Sequence, residues 1–352
     1  ARMGGLFGAI RDAMPDSWGR KVIERHLKGR LDDMDYLLRA PDDRAGALGF
    51  GLNAEAPSPE NRFNRTLDLE RLQRAADAVI KDDPDLAGSA GEQAEDLLLL
   101  GTSMGGARPK AVVQDDEAQW IAKFARDDDR YNYPRIEHAL LELAKACGLS
   151  AADIRLTTVA DRDVLLVRRF DRDRAQAGYL RHRMISAVTL LRTNDDSVAR
   201  TNWSYLLLAD EIRRVSAEPA EDLRELFTRM CFNAAVSNLD DHPRNHAILA
   251  KERSWRLSPA YDLTPQPVIA RENRDLAMEC GLRGRGANQT NLTSGHGRFL
   301  LSREVATDIF DTVIETVSNQ WRAAMRRAGV SDQDCERISG AFLYDGLFYG
   351  GE

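Results

Sequence analysis

The stretch NAAVSNLDDHPRNHAIL, residues 233–249, decides how the rest of the chain is read. Asp240, Asp241, His242, Arg244, Asn245 and His246 fall within seven positions, directly after a largely apolar run of Cys231, Phe232, Ala234, Ala235 and Val236. A solvated turn would use the same residue types, because Asn and Asp side chains bond their own backbone. A polar site fed by a buried helix would use them too. The choice between the two readings rests on what the other segments supply.

Working outward, 352 residues can hold two domains or lobes, each with its own core. A hydrophobic fraction of 43% with 30% charged residues is ordinary for a soluble globular enzyme. The net charge of −7 argues against direct grip on nucleic acid, which rests on clustered Lys and Arg. A local basic groove is open at Arg271, Arg274, Arg283 and Arg285. Cys147, Cys231, Cys280 and Cys335 lie far apart without CxxC spacing, as reduced thiols of a cytoplasmic protein would. No apolar run approaches about 18 residues, so no membrane span is expected. Arg11, Asp12, Asp16 and Arg20 break up any signal-peptide pattern. The chain starts at Ala1 and not Met, so a preceding piece is expected to be missing.

Periodicity predicts helix over 4–28, interrupted by a Met14-Pro15-Asp16-Ser17 turn, then helices at 67–80 and 92–100. Residues 41–64 read as loop with a short strand at 47–52. Short, partly β-branched runs at 111–113, 120–124, 156–159 and 164–167 predict a small sheet, with a helix inserted at 134–147. Beyond 170 the pattern is mainly helical, at 183–192, 202–214, 219–236, 303–327 and 331–342. An extended segment at 255–257 and a polar, Gly-rich loop at 281–298 interrupt it. The fold class is therefore α+β, a mixed α/β N-terminal lobe over 1–167 and a mainly helical C-terminal lobe over 168–352. Two facing lobes are a common way to build a ligand cleft.

Four motifs bear chemistry. Asp240 and Asn245 are five apart, the separation of base and metal-ligating Asn in protein-kinase catalytic loops. A hydroxyl nucleophile needs a carboxylate to accept its proton, and Mg²⁺ takes hard oxygen ligands. Asp262, in LSPAYDLTP (257–265), follows a short extended segment, as a second metal-binding Asp would, although the tripeptide is Tyr-Asp-Leu and not D-F-G. Lys123 sits in the apolar strand Trp120–Phe124, costly to bury unless it meets an anion, with Glu137 in the next helix as the obvious partner. An edge-strand Lys pointing at water would look the same. In GTSMGGARPK (101–110), Gly101, Gly105 and Gly106 would let backbone N–H groups reach phosphates, yet neither the Walker A nor the G-x-G-x-x-G pattern is met.

Loop, strand Lys, helix Glu, catalytic loop and metal Asp follow one another in the order a kinase needs. At this point the chain resembles the HipA-type toxin kinases of bacterial toxin–antitoxin systems. The matching stretches are MPDSWGRKVIERHL (14–27), GTSMGGARPKAVV (101–113), the Lys123 strand, LLVRRFDRD (165–173), NLDDHPRN (238–245) and LSPAYDLTP (257–265). The resemblance implies a two-lobed, protein-kinase-like fold using ATP and Mg²⁺. It makes Asp240 the catalytic base, Asn245 and Asp262 the metal ligands, and Lys123 the phosphate-binding Lys. It puts Arg168 to Phe170 at the adenine and His242, with the glycine loop, among the nucleotide-contacting residues. Ser103 matches the family's autophosphorylated Ser, whose modification ejects the loop. The partners implied are a HipB-like helix-turn-helix antitoxin, DNA only through that antitoxin, and a protein substrate such as an aminoacyl-tRNA synthetase. The chain departs from the family at 179–184, where an acidic motif is lacking, and before Gly4, where a further subdomain is expected. Two rivals stay open. One is a metal-dependent phosphohydrolase with Asp240, Asp241, His242, His246 and Asp262 as ligands. The other is an inactive kinase-like repressor partner.

Overall fold

The structure is a computed structural model that describes residues 2–3, 5–27, 31–55, 64–81, 108–176, 178–267, 270 and 272–348. The expected helix at 92–100, and Ser103, Gly105 and Gly106 of the glycine loop, lie outside the described residues. The chain forms two compact units, which do not follow a single cut at 167/168. One comprises Ala9–Arg130 and Asp153–Met184; the other comprises Ala1–Gly8, Tyr131–Ala152 and Ile185–Glu352. Helix Tyr133–Ala146 belongs to the second unit because it packs along the long helix Arg303–Arg327.

The first unit is built on a five-stranded sheet ordered Asn64–Arg65, Lys110–Gln114, Gln119–Phe124, Arg162–Arg168, Ile154–Val159. Only the first pair is parallel. Strand alternation sends Ala111, Val113, Trp120, Ala122, Phe124, Val164 and Leu166 to one face, where they meet Leu72, Ala76 and Val79 of helix Leu69–Lys81. Helix Ser17–Leu27 adds Trp18 and Val22 to the same core. Its start is fixed twice by Asp16, which accepts the Gly19 N–H at 2.7 Å and pairs with the buried Lys110 ammonium at 2.9 Å.

No strand forms at 47–52. The carbonyls of Arg44, Gly46 and Leu48 accept bonds from Arg169, Arg172 and Arg181 in place of a neighbouring strand. Asp171 lies at the centre, fully buried, with Arg169 at 2.9 Å and Arg172 at 2.8 Å, and it accepts the Gly46 N–H at 2.9 Å. Burial alone would raise the Asp171 carboxyl; the two guanidinium charges hold it far below the ordinary carboxylate range.

The second unit is mainly helical: Tyr205–Val215, Pro219–Ala235, Arg303–Arg327 and Asp332–Ser339, with the hairpin Ala247–Lys251/Ser254–Leu257. The helix expected at 183–192 is instead the strand Arg183–Ser186 followed by a single turn, Ala187–Leu190, because Ser186 caps that turn and Arg192 ends it in a left-handed conformation. The polar loop at 281–298 contains a short helix, Gln289–Ser294, capped by Asn288. All four cysteines are free and buried. Among the described residues no helix is long and apolar enough to cross a membrane.

Replacing Asp171 by Asn leaves two guanidinium charges buried beside a neutral amide. The expected loss is about 3–5 kcal/mol of unfolding free energy, the cost of breaking a buried ion pair. Urea titration followed by tryptophan fluorescence checks this, and a loss below about 1 kcal/mol would remove the cluster as the anchor of residues 43–48.

Candidate active site

Helix Pro219–Ala235 delivers the polar stretch Asn238–His246. It ends where Ser237 turns left-handed, at φ +48°, and Asn238 bonds back to the Asn233 carbonyl at 2.8 Å. The next residues form a tight loop. The His242 N–H bonds the Asp240 carbonyl at 2.8 Å, the Asn245 N–H bonds the His242 carbonyl at 2.9 Å, and the Asn245 side-chain amide reaches the Asp240 carbonyl at 3.3 Å. Pro243 starts the short 3₁₀ turn Pro243–Asn245, where its missing N–H costs nothing.

The two adjacent carboxylates have opposite fates. Asp241 is buried and accepts bonds from the Tyr205 hydroxyl and from His246 Nε2 at 2.8 Å, while Asn233 Nδ2 donates to the Tyr205 oxygen at 3.0 Å. Burial would raise Asp241, but His246 and Tyr205 hold it below the ordinary carboxylate value; burial, and after it the Asp241 charge, pushes the Tyr205 hydroxyl well above its own. Asp240 is exposed, and its carboxyl is pushed up by partial desolvation and by the negative charge of Asp262. A like charge acting on Asp240 means that the loop and the Tyr261–Asp262 segment converge.

Asp262 reaches that position through a sequence of ties. Arg229, buried within helix Pro219–Ala235, donates to the Ser258 carbonyl at 2.9 Å; the Tyr261 hydroxyl donates to the Arg244 carbonyl at 2.8 Å. Asp262 itself is left-handed, φ +59°, a conformation that Asp tolerates better than most residues but that surrounding structure must hold. Beyond it, the Gln266 N–H bonds the Ser237 carbonyl at 2.9 Å. Arg274, buried over the Tyr344 ring at 4.4 Å, donates to Ser237 Oγ at 2.5 Å and to the Gly340 carbonyl at 2.8 Å; the Leu343 N–H bonds the Ala235 carbonyl at 2.8 Å.

The donor set fits a hard cation. Two carboxylates, of Asp240 and Asp262, act on each other electrostatically, and the amide of Asn245 lies on the same loop as Asp240. The five-ligand alternative does not assemble, because Asp241 and His246 are closed on each other and on Tyr205 in the interior. Among the described residues no group of three or more His, Cys, Asp or Glu side chains is gathered as metal ligands.

The remaining expected residues fall as follows. Lys123 lies in Gln119–Phe124, which has a strand on either side; the edge-strand reading is therefore wrong. Its side chain is half-buried on the face opposite the helix-covered core. Glu137 is buried in helix Tyr133–Ala146, in the other unit. Arg168 is exposed beside Asp153 at 3.4 Å, Phe170 is half-buried, and the fully buried Arg169 lies between them. Sequence reasoning missed Tyr205, His246 as the partner of Asp241, and Lys110 with Asp16. Lys110 was open to the argument applied to Lys123, an ammonium in an apolar strand, and in the ladder it stands directly opposite Lys123.

Comparison with known proteins places these features in context. The family described as the HipA-like C-terminal domain matches residues 102–321. A putative kinase, Y4mE, of Sinorhizobium fredii is 28% identical over 193 residues, 52% of this chain and 46% of that protein, so the matched part spans about half the length of this curated relative. A chain in the structure of the Shewanella oneidensis MR-1 toxin–antitoxin system HipA, HipB and its operator DNA superimposes with a TM-score of 0.69 at 16% identity, covering 95% of this chain and 82% of that one. The likeness shows the α+β, kinase-like fold expected from the sequence.

Tyr205→Phe removes one donor from Asp241 and leaves Asn233 without its acceptor. The expected cost is about 1–3 kcal/mol at neutral pH. Because the folded value of Asp241 is depressed, its contribution is complete above the ordinary carboxylate range and is lost as pH falls through the depressed value. The gap between wild type and variant should therefore close on acidification. Denaturant melts from pH 7 to pH 3 check this; a gap independent of pH would exclude Asp241 as the group involved.

Proposed function

The chain belongs to the family of HipA-like C-terminal domains, and on that premise we propose that it is a serine/threonine protein kinase that transfers the ATP γ-phosphate to a protein hydroxyl. The observation that supports this most directly is the division of labour between neighbours: Asp241 is consumed in the interior, while Asp240 faces solvent near Asp262. Asp240 orients the acceptor hydroxyl and takes its proton. The raised proton affinity of Asp240 suits a base, since it increases the driving force for that transfer. Asn245 and Asp262 would hold Mg²⁺, which when bound neutralises charge on the ATP phosphates. Lys123 is assigned to the phosphates, Glu137 to orienting Lys123, and Arg168, Phe170 and His242 to the nucleotide.

The family further suggests a toxin held by a HipB-like antitoxin that brings it to DNA, and a target such as an aminoacyl-tRNA synthetase. The Shewanella oneidensis neighbour, whose structure contains HipA, HipB and operator DNA, is consistent with the first of these. Ser103 is assigned as the site of autophosphorylation. A phosphate there adds about −1.5 to −2 charges beside the triphosphate and would expel the loop.

Purified protein incubated with Mg-ATP is expected to transfer labelled phosphate to itself or to a protein of the cell lysate. Asp240→Asn should keep its fold and its nucleotide affinity and lose about 10²–10⁴-fold in rate. Transfer by Asp240→Asn at the wild-type rate, with Asp241→Asn inactive yet folded, would mean that the wrong carboxylate has been chosen. Asp262→Asn should weaken ATP binding only when Mg²⁺ is present, as measured by titration calorimetry. Phosphorylated Ser103 protein, identified by intact mass, should bind ATP weakly; unchanged affinity would reject the switch alone.

A further inference from the structure

Beside the catalytic loop lies a cavity of 270 Å³ lined by Val198, Arg200, Trp203, Glu279, Gly284 and Arg285. Its wall is continuous with the ties that hold the loop. The Glu279 N–H bonds the Trp203 carbonyl at 2.8 Å, and the Tyr205 N–H bonds the Glu279 carbonyl at 2.9 Å; Tyr205 is the residue that grips Asp241. The Trp203 ring meets His242 edge-on at 6.2 Å, two residues from Asp240. The cavity therefore lies where chain flanking an acceptor hydroxyl at Asp240 would pass.

Arg200 is presented to this cavity with effort. It is left-handed at φ +45°, and Asn202 follows at φ +61°; such non-glycine backbones persist only where the surroundings enforce them. Its Nε donates to the Ser197 carbonyl at 2.8 Å, one Nη approaches the Ala277 carbonyl at 3.5 Å, and the guanidinium carbon lies 5.9 Å from the Trp203 ring centre. Among the described residues no carboxylate pairs with it, although its charge is felt at Asp240, where it opposes the rise due to burial. Arg285 is 3.6 Å from Asp275, a long and solvated pair. A guanidinium that meets only main-chain carbonyls keeps its outer fork free for a bidentate carboxylate. Glu279, exposed on the same lining, opposes a second carboxylate there.

We propose that this cavity is the subsite for a single acidic side chain flanking the phosphoacceptor Ser or Thr of the protein substrate, with Arg200 as its anchor and Arg285 as the outer charge. The assignment rests on the kinase reading above. It calls for one Asp or Glu at a defined position and disfavours an acidic run, which Glu279 repels.

A position-scanned peptide library carrying Ser and Thr acceptors, phosphorylated with Mg-ATP, tests it. Wild type is expected to prefer Asp or Glu at one flanking position by about tenfold in kcat/KM, the scale of one charge-assisted hydrogen bond. Arg200→Gln should erase the preference, and Arg200→Glu should invert it toward Lys or Arg at that same position. Should Arg200→Glu melt early, Arg200→Gln carries the comparison, since the site is a partly exposed turn. An acidic preference that survives in Arg200→Gln overturns the subsite, as does a wild type with no acidic preference. Autophosphorylation without transfer to any peptide overturns it as well and leaves the kinase reading intact. Absence of both transfers removes the two together.

Discussion

The hydrogen bonds that converge on Asp241 determine what the polar loop can do. A buried carboxylate is costly unless its oxygens are satisfied, and here the Tyr205 hydroxyl and His246 Nε2 satisfy them from two different elements. Asp241 is fixed inward while Asp240 stays exposed, and the bonds from His242 and Asn245 close the loop around that arrangement. The proposed base is thus oriented by the burial of its neighbour. The same Tyr205 begins helix Tyr205–Val215 just after the cavity wall, so loop geometry and cavity shape share one support.

The other unit solves a different problem with the same means. Its sheet has one face packed by helices, while an irregular segment at 43–48 has no strand to pair with. Three arginines provide the donors that a strand would have supplied, and Asp171 balances the two that are fully buried. Charged residues in the motif LLVRRFDRD are therefore structural in part: Arg169, Asp171 and Arg172 build the interior, leaving Arg168 and Phe170 at the surface side of the strand end.

Much of this was legible in the sequence because local rules and tertiary packing agree there. Helix Arg303–Arg327 has the bounds its periodicity predicts, and the Asp240–Asn245 spacing marks the loop. The misreadings have physical causes. Residues 183–192 look helical by composition, but a cap at Ser186 and pairing of the Ala187 N–H with the His246 carbonyl leave only one helical turn. Residues 47–52 alternate like a strand, yet the Arg181 guanidinium takes the Leu48 carbonyl, and Arg169 and Arg172 take those of Arg44 and Gly46 just before it. The pairing of Asp241 with Tyr205, 36 residues away, has no local signature at all. Such contacts are selected by shape in the folded state, and spacing along the chain does not encode them.

The clamp around Ser237 has a consequence for synthesis. Arg274 and Ser237 complete their bonds only with the carbonyls of Gly340 and Ala341, and Ala235 receives its N–H from Leu343. The loop that follows Ser237 is therefore stitched by residues about a hundred positions downstream. On a translating ribosome, where chains fold from the N-terminus as they emerge, Asp240 is made long before the segment that steadies its base. A nascent chain of this protein carries every proposed active-site residue and lacks their final support. That support is complete only once residues 340–343 have been made.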